Sequence, residues 1–326
     1  MREADSITRR IEALGVLPVI EIGNQDRALP LAAALEKGGV DALEVTLRTD
    51  TALESIRILT AERPDMLVGA GTVLSPGQAD DAMAAGAAFI VTPGYNPRVV
   101  GHCIDQGYPI YPGVDSASGI ELALEAGLKA VKFFPATALG GMPTLASMAA
   151  PFKGRMRFIP LGGLSPDNVG DYAVSPLILA VGGTWIAKAG LVRDGAFARI
   201  EANARQALQA VHGLTVQAVR LAGGNGSTDP AETLAALSGL GDCLVRAGFG
   251  SQELPLGAER GEIRLGCNNP GRTAAWLRMY FNVPSTAELV GLGGRDVRSH
   301  VLERPLGGFR LRLVPNTLPE GACSGM

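Results

Sequence analysis

Apolar residues in this chain fall into short, nearly unbroken runs, separated by stretches in which they recur every three or four positions. The first pattern belongs to strands covered on both faces, the second to helices with one face turned inward. A helix over 5–14 shares Ile7, Ile11 and Leu14 on one face and stops at Gly15. Apolar runs over 16–22, 41–47, 66–72, 87–93, 108–114, 130–136, 157–163 and 178–184 then read as strands. Between them lies a helix carrying Leu29, Leu31, Ala32 and Leu35, capped by Asn24 and ended by Gly38 and Gly39. Further helices are predicted over 50–62, 76–85, 97–106, 118–126, 143–150, 166–173 and 195–211. Ser75-Pro-Gly-Gln78 and Ser118-Gly-Ile-Glu121 fit the capping box, and Ser165-Pro166 places proline at a first helical position.

Eight strand–helix units of about 20–25 residues behind a leading helix predict a compact (β/α)8 barrel over 1–212. A doubly wound open sheet is the alternative. The pattern changes at His212-Gly213. A strand over 214–221, a glycine-rich loop over 222–230, a helix over 231–240 and short runs at 243–247, 262–267, 298–303 and 308–314 follow, with another helix over 272–280. They predict a smaller α+β domain over 213–316 and a tail over 317–326.

Composition narrows the function classes. The chain has 326 residues and a net charge of −3, with no basic field for nucleic acid and no polybasic membrane patch. No stretch approaches the ~20 apolar residues of a membrane helix. The start is a charged amphipathic segment rather than an apolar signal region. The four cysteines (Cys103, Cys243, Cys267, Cys323) have no disulfide spacing, which favours a reducing cytoplasm. His102, His212 and His300 lie far apart, without a second histidine or a cysteine at metal-ligand spacing.

Chemistry in a (β/α)8 barrel sits at the C-terminal ends of its strands. Ala130-Val-Lys-Phe-Phe-Pro-Ala136 carries Lys132 inside an apolar strand, in a chain with only five lysines. A lysine is seldom buried without a partner or a task, and an ammonium in apolar surroundings loses hydration, which favours the nucleophilic amine. The plainer reading is a snorkelling side chain. Glu44 is the other centrally placed ionisable group; alternation puts it and Thr46 on one face, with Arg48 just beyond. A buried ion pair holding the barrel competes with a nucleophile–acid/base pair. Gly162-Gly163 and Gly182-Gly183 end the last two strands, where backbone N–H groups can receive a phosphate or another anion.

Six motifs carry a family likeness: Leu43-Glu-Val-Thr-Leu-Arg-Thr49, Val68-Gly-Ala-Gly-Thr-Val73, Val91-Thr-Pro-Gly94, Tyr111-Pro-Gly-Val114, Val131-Lys-Phe-Phe-Pro-Ala136 and Gly182-Gly-Thr-Trp185. In this order they resemble the bacterial 2-keto-3-deoxy-6-phosphogluconate and 4-hydroxy-2-oxoglutarate aldolases over residues ~10–211. The resemblance implies a class I aldolase without metal or other cofactor, usually a homotrimer, acting on a keto-acid. It implies Lys132 as Schiff-base lysine and Glu44 as general acid/base. Arg48 and Thr72 would hold the pyruvate carboxylate, Pro93 and Phe134 would wall its pocket, and Gly162, Gly163, Gly183 and Thr184 would form the phosphate site. Three positions depart from the family. Leu161 stands where phosphogluconate-type members carry a hydroxyl residue and galactonate-type members an aliphatic one. Thr137 replaces a common glutamate and Thr184 the usual serine. Drift of substrate preference away from the phosphogluconate epimer is therefore expected. Residues 213–316 resemble the vicinal-oxygen-chelate (glyoxalase-like) fold in Glu262-Ile-Arg-Leu-Gly-Cys-Asn-Asn-Pro-Gly-Arg272 and Gly307-Gly-Phe-Arg-Leu-Arg-Leu-Val314; the metal ligands of active members are not evident there, Glu262 alone being a weak candidate. A sugar-phosphate isomerase and a non-enzymatic keto-acid sensor are the competing functions.

Overall fold

A computed structural model describes residues 3–213, 215–221, 261–281, 285–292, 295–306 and 309–315. The expected loop over 222–230, helix over 231–240, run at 243–247 and tail over 317–326 lie outside them. The chain divides into two compact units, Met1–Val211 and His212–Met326.

In the first unit the apolar runs become β1 (Val16–Ile20), β2 (Ala42–Thr46), β3 (Leu67–Gly71) and β4 (Phe89–Val91). Next come β5, in two pieces (Ile110–Tyr111 and Gly113–Val114), β6 (Ala130–Phe133), β7 (Arg157–Pro160) and β8 (Val181–Gly183). Every pairing among them is parallel. The order runs β1 to β5 in sequence; the second piece of β5 pairs with β6, and β6 with β7. β7 meets the residues ahead of β8 through the bridge of Phe158 to Ile178. β8 then pairs with β1, Val16 opposite Val181, which closes the ring. Closure excludes the open doubly wound sheet, whose outer strands would each keep an unpaired edge. Nearly all strand residues are buried on both faces, as a barrel packed inside and covered by helices requires.

The helices follow the 3.6-residue pattern, with three corrections at their starts. Asn24 does not cap the helix Ala28–Lys37: its side chain accepts from the Asp26 N–H and caps a separate short turn, Gln25–Arg27, which leaves Ala28–Lys37 without a side-chain cap. The helix Ala117–Glu125 is capped by Ser116, whose hydroxyl accepts from the Gly119 N–H at 3.3 Å. Ser118 lies within its first turn and caps nothing. Ser165-Pro166 does not open a helix either. Ser165 closes a turn, its carbonyl accepting from Asn168 and Val169, and the helix runs only over Val169–Ala173. The Asn168 side chain competes with helix formation by bonding the Ser165 N–H and the Gly163 carbonyl. An additional short helix, Ala189–Arg193, was not legible in the pattern. Among the described residues no helix is long and apolar enough to cross a membrane.

The second unit contains a sheet in the order Thr215–Leu221, Gly261–Cys267, Phe309–Pro315, Arg295–Leu306, Ser285–Leu292. Strand Gly261–Cys267 is parallel to Phe309–Pro315; the other pairings are antiparallel. Strand Ser285–Leu292 has no counterpart in the sequence reading. Helix Pro270–Phe281 buries Ala274, Trp276 and Leu277, and the His212 ring stacks on Trp276 at 4.6 Å.

Candidate active site

Two strands bring the central pair together. Lys132 on β6 points its Nζ to within 3.6 Å of Glu44 Oε1 on β2. The Glu44 side chain is wholly buried and that of Lys132 is 7% exposed, so the two charges interact with little water between them. Neither Glu44 oxygen accepts a hydrogen bond. The pair is thus a lysine able to reach an electrophile and a carboxylate within proton-transfer range of the same point. The ring of Phe134 stands 5.3 Å from Nζ and forms an apolar wall.

Strand and loop geometry assembles the rest of the mouth. Gly113 on β5 lies directly opposite Lys132, and a Cβ there would overlap the carbonyl of Pro93, so the loop after β4 is drawn tight against β5. Pro93 and Phe134 both line a cleft of about 280 Å³ that continues along Tyr95, Val114 and Ser116. This cleft borders the Lys132–Glu44 pair rather than enclosing it. The Tyr95 hydroxyl spans it to donate to the Leu122 carbonyl at 3.0 Å.

The segments after β6 and β7 are laced together. Leu161 donates to Phe133, Ala136 to Leu161 and Thr137 to Gly162, at 2.7–3.0 Å. Gly162 and Gly163 have φ of 97° and 78°, which a side-chain-bearing residue resists. Leu161 is buried, and its Cδ1 fills the space a Cβ on Gly182 would need. That side chain presents no hydrogen-bonding group. Gly183 is buried beneath the Trp185 ring, and Thr184 is exposed.

Thr72, half-buried directly after β3, has φ of 58°. A β-branched residue with positive φ is a rare arrangement costing on the order of 1–3 kcal/mol, and such strain clusters at functional sites. Arg48 is exposed in the turn after β2, its backbone N–H donating to the Thr46 carbonyl. No hydrogen bond or ion pair of its guanidinium ties it to Lys132 or Glu44. Gly71, against which the Glu44 carboxylate rests, joins the site although no expectation from sequence included it. Its signal was present, a glycine two places beyond the cross-strand partner of the buried acid. Among the described residues, no cluster of three or more His, Cys, Asp or Glu side chains is placed to hold a metal ion.

A family model for KDPG and KHG aldolase matches residues 7–203. The chain is 45% identical over 206 residues to the 2-dehydro-3-deoxy-phosphogluconate aldolase of Treponema pallidum, covering 63% of this chain and 98% of that protein. It is 41% identical over 194 residues to the KHG/KDPG aldolase of Escherichia coli K12, covering 60% and 91%. A solved structure of the Legionella pneumophila KDPG aldolase, with pyruvate captured at low pH as a covalent carbinolamine intermediate, is similar at a TM-score of 0.59 and 37% identity. That match covers 61% of this chain and 97% of the other. With a closed (β/α)8 barrel around a buried lysine and this match across the barrel, the chain belongs to the KDPG and KHG aldolase family.

Proposed function

We propose that this chain is a class I aldolase, a lyase that works through a Schiff base. It cleaves a 2-keto-3-deoxy-6-phospho sugar acid, or 4-hydroxy-2-oxoglutarate, to pyruvate and an aldehyde such as glyceraldehyde 3-phosphate. One observation carries the reading: Lys132 and Glu44 face each other at 3.6 Å, both buried, at the heart of the barrel.

The reaction follows from that pair. The neutral amine of Lys132 adds to the C2 carbonyl of the keto-acid, and loss of water from the carbinolamine leaves an iminium. Glu44 takes the proton of the C4 hydroxyl as the C3–C4 bond breaks, and the bonding electrons pass into the iminium to form an enamine. The aldehyde leaves. The protonated Glu44 returns its proton to C3, and water hydrolyses the resulting iminium to pyruvate and free Lys132. Proton transfer by a positioned carboxyl is worth about 10²–10⁴-fold. Arg48 and Thr72 take the keto-acid carboxylate, a task suited to a forked guanidinium. Pro93 and Phe134 wall the pyruvate end. Gly162, Gly163, Gly183 and Thr184 receive the phosphate. No cofactor takes part.

Leu161 supports a preference shifted away from the phosphogluconate epimer, because its buried alkyl chain offers no partner to a substrate hydroxyl. Cleavage rates on the two phosphorylated epimers and on 4-hydroxy-2-oxoglutarate test this; a clear preference for the phosphogluconate epimer overturns it.

Within the same reading the enzyme is a cytoplasmic homotrimer serving an Entner–Doudoroff-type step, without nucleic-acid or membrane partners. Residues 1–212 are its catalytic domain. Residues 213–316 are a structural or oligomerisation module of vicinal-oxygen-chelate-like type. The succession of strand, helix and three strands from Gly261 to Pro315 supports that assignment.

Borohydride reduction in the presence of pyruvate, followed by peptide mass spectrometry, tests the covalent step. The pyruvyl adduct is expected on Lys132 and absent from Lys132→Ala. An adduct that persists in that variant sinks the assignment.

A further inference from the structure

We propose that Gly71 positions the Glu44 carboxylate against Lys132; the inference rests on the reading of these two as the reacting pair. Glu44 lies across from Gly69 on β3, and Thr46 across from Gly71. Side chains on a strand lean along it, and that of Glu44 carries its carboxylate from the level of Gly69 to that of Gly71. A Cβ on residue 71 would overlap Oε1 and stand 2.6 Å from both Cγ and Cδ. The carboxylate therefore occupies the volume in which any other residue would hold its first side-chain carbon.

The need for glycine here is steric. Gly71 is not among the residues with positive φ, so its backbone is one that any residue adopts. Its strand cannot retreat cheaply, because the Gly71 carbonyl accepts from the Leu47 N–H at 2.8 Å and β3 is paired on both sides. Close packing around the wholly buried Glu44 removes the easy escapes for the acid as well. The atom that would be struck first, Oε1, is the one 3.6 Å from Lys132 Nζ. A methyl on residue 71 thus pushes the carboxylate off its line to the lysine and leaves the amine in place. Gly71 is a positioning residue for proton transfer and not for Schiff-base formation.

Gly71→Ala separates the two steps. Pyruvate trapping at Lys132 by borohydride should persist, while kcat for cleavage falls about 100-fold or more, the lower range of what a positioned proton carrier contributes. KM should change much less than kcat. The same substitution in a Glu44→Ala background should alter kcat by no more than about twofold, because groups in contact are coupled and the group it strikes is gone. Equal losses in both backgrounds, or an unchanged kcat in Gly71→Ala, overturn the inference. If Gly71→Ala does not fold, the double variant decides: melting with Glu44→Ala supports the steric role, and failure to fold overturns it. A wild-type protein that traps no pyruvate at Lys132 would instead defeat the aldolase reading itself.

Discussion

Glu44 is a fully buried carboxylate whose ion-pair partner is the single amine 3.6 Å away. An isolated charge in such a place is strongly disfavoured, so the pair stabilises itself as well as serving the chemistry. Glu44→Gln keeps the shape and removes the proton-carrying group. It should leave borohydride trapping at Lys132 intact and lower kcat for cleavage by about 10²–10⁴-fold, read by steady-state assay of pyruvate release. Loss of trapping together with kcat would show that Glu44 acts earlier, in forming the iminium. A second prediction concerns a residue away from the site. Cys103 is buried on the helix Pro97–Gln106, and burial, with the Asp80 charge nearby, pushes its thiol up to about 11. A raised thiol pKa means little thiolate at pH 8. Iodoacetamide at that pH should therefore spare Cys103 in the native protein and label it after denaturation, as seen by peptide mapping; equal labelling in both states would contradict this.

At the scale of elements, most strands and helices were legible because the apolar runs and the 3.6-residue stripes are both strong. The ends were less so. Ser116 and Ser118 are two places apart and equally plausible caps by composition. Ser116 takes the cap because its backbone is extended, with φ −148° and ψ 161°, which aims its hydroxyl at the Gly119 N–H. Ser116→Ala should lower stability by about 0.5–2 kcal/mol, whereas Ser118→Ala should stay within about ±0.5 kcal/mol; denaturant melts compare the two. A reversed order would return the cap to Ser118. The turn at Ser165–Asn168 is not legible in the sequence for a related reason. An asparagine side chain that bonds backbone on both sides of it is a tertiary choice, and Ser-Pro is compatible with either outcome.

At the scale of the whole molecule, all eight strands of the barrel lie within the unit Met1–Val211. The first unit has its own core and its own closed sheet. A chain ending at residue 212 should accordingly fold and still trap pyruvate at Lys132. Circular dichroism and the mass of the reduced adduct check this, and an unfolded or unmodified fragment would contradict it.

The strand–helix succession, the apolar burial of both strand faces and the choice of Lys132 and Glu44 as the odd polar residues within strands are written in the sequence. They depend on local periodicity and on which residue types tolerate burial. The ring closure of β8 on β1, the 3.6 Å approach of Lys132 to Glu44, the positive φ of Thr72 and the space at Gly71 are not. Each of these depends on residues far apart in the chain meeting across the barrel, where distance and excluded volume rather than residue type decide what fits.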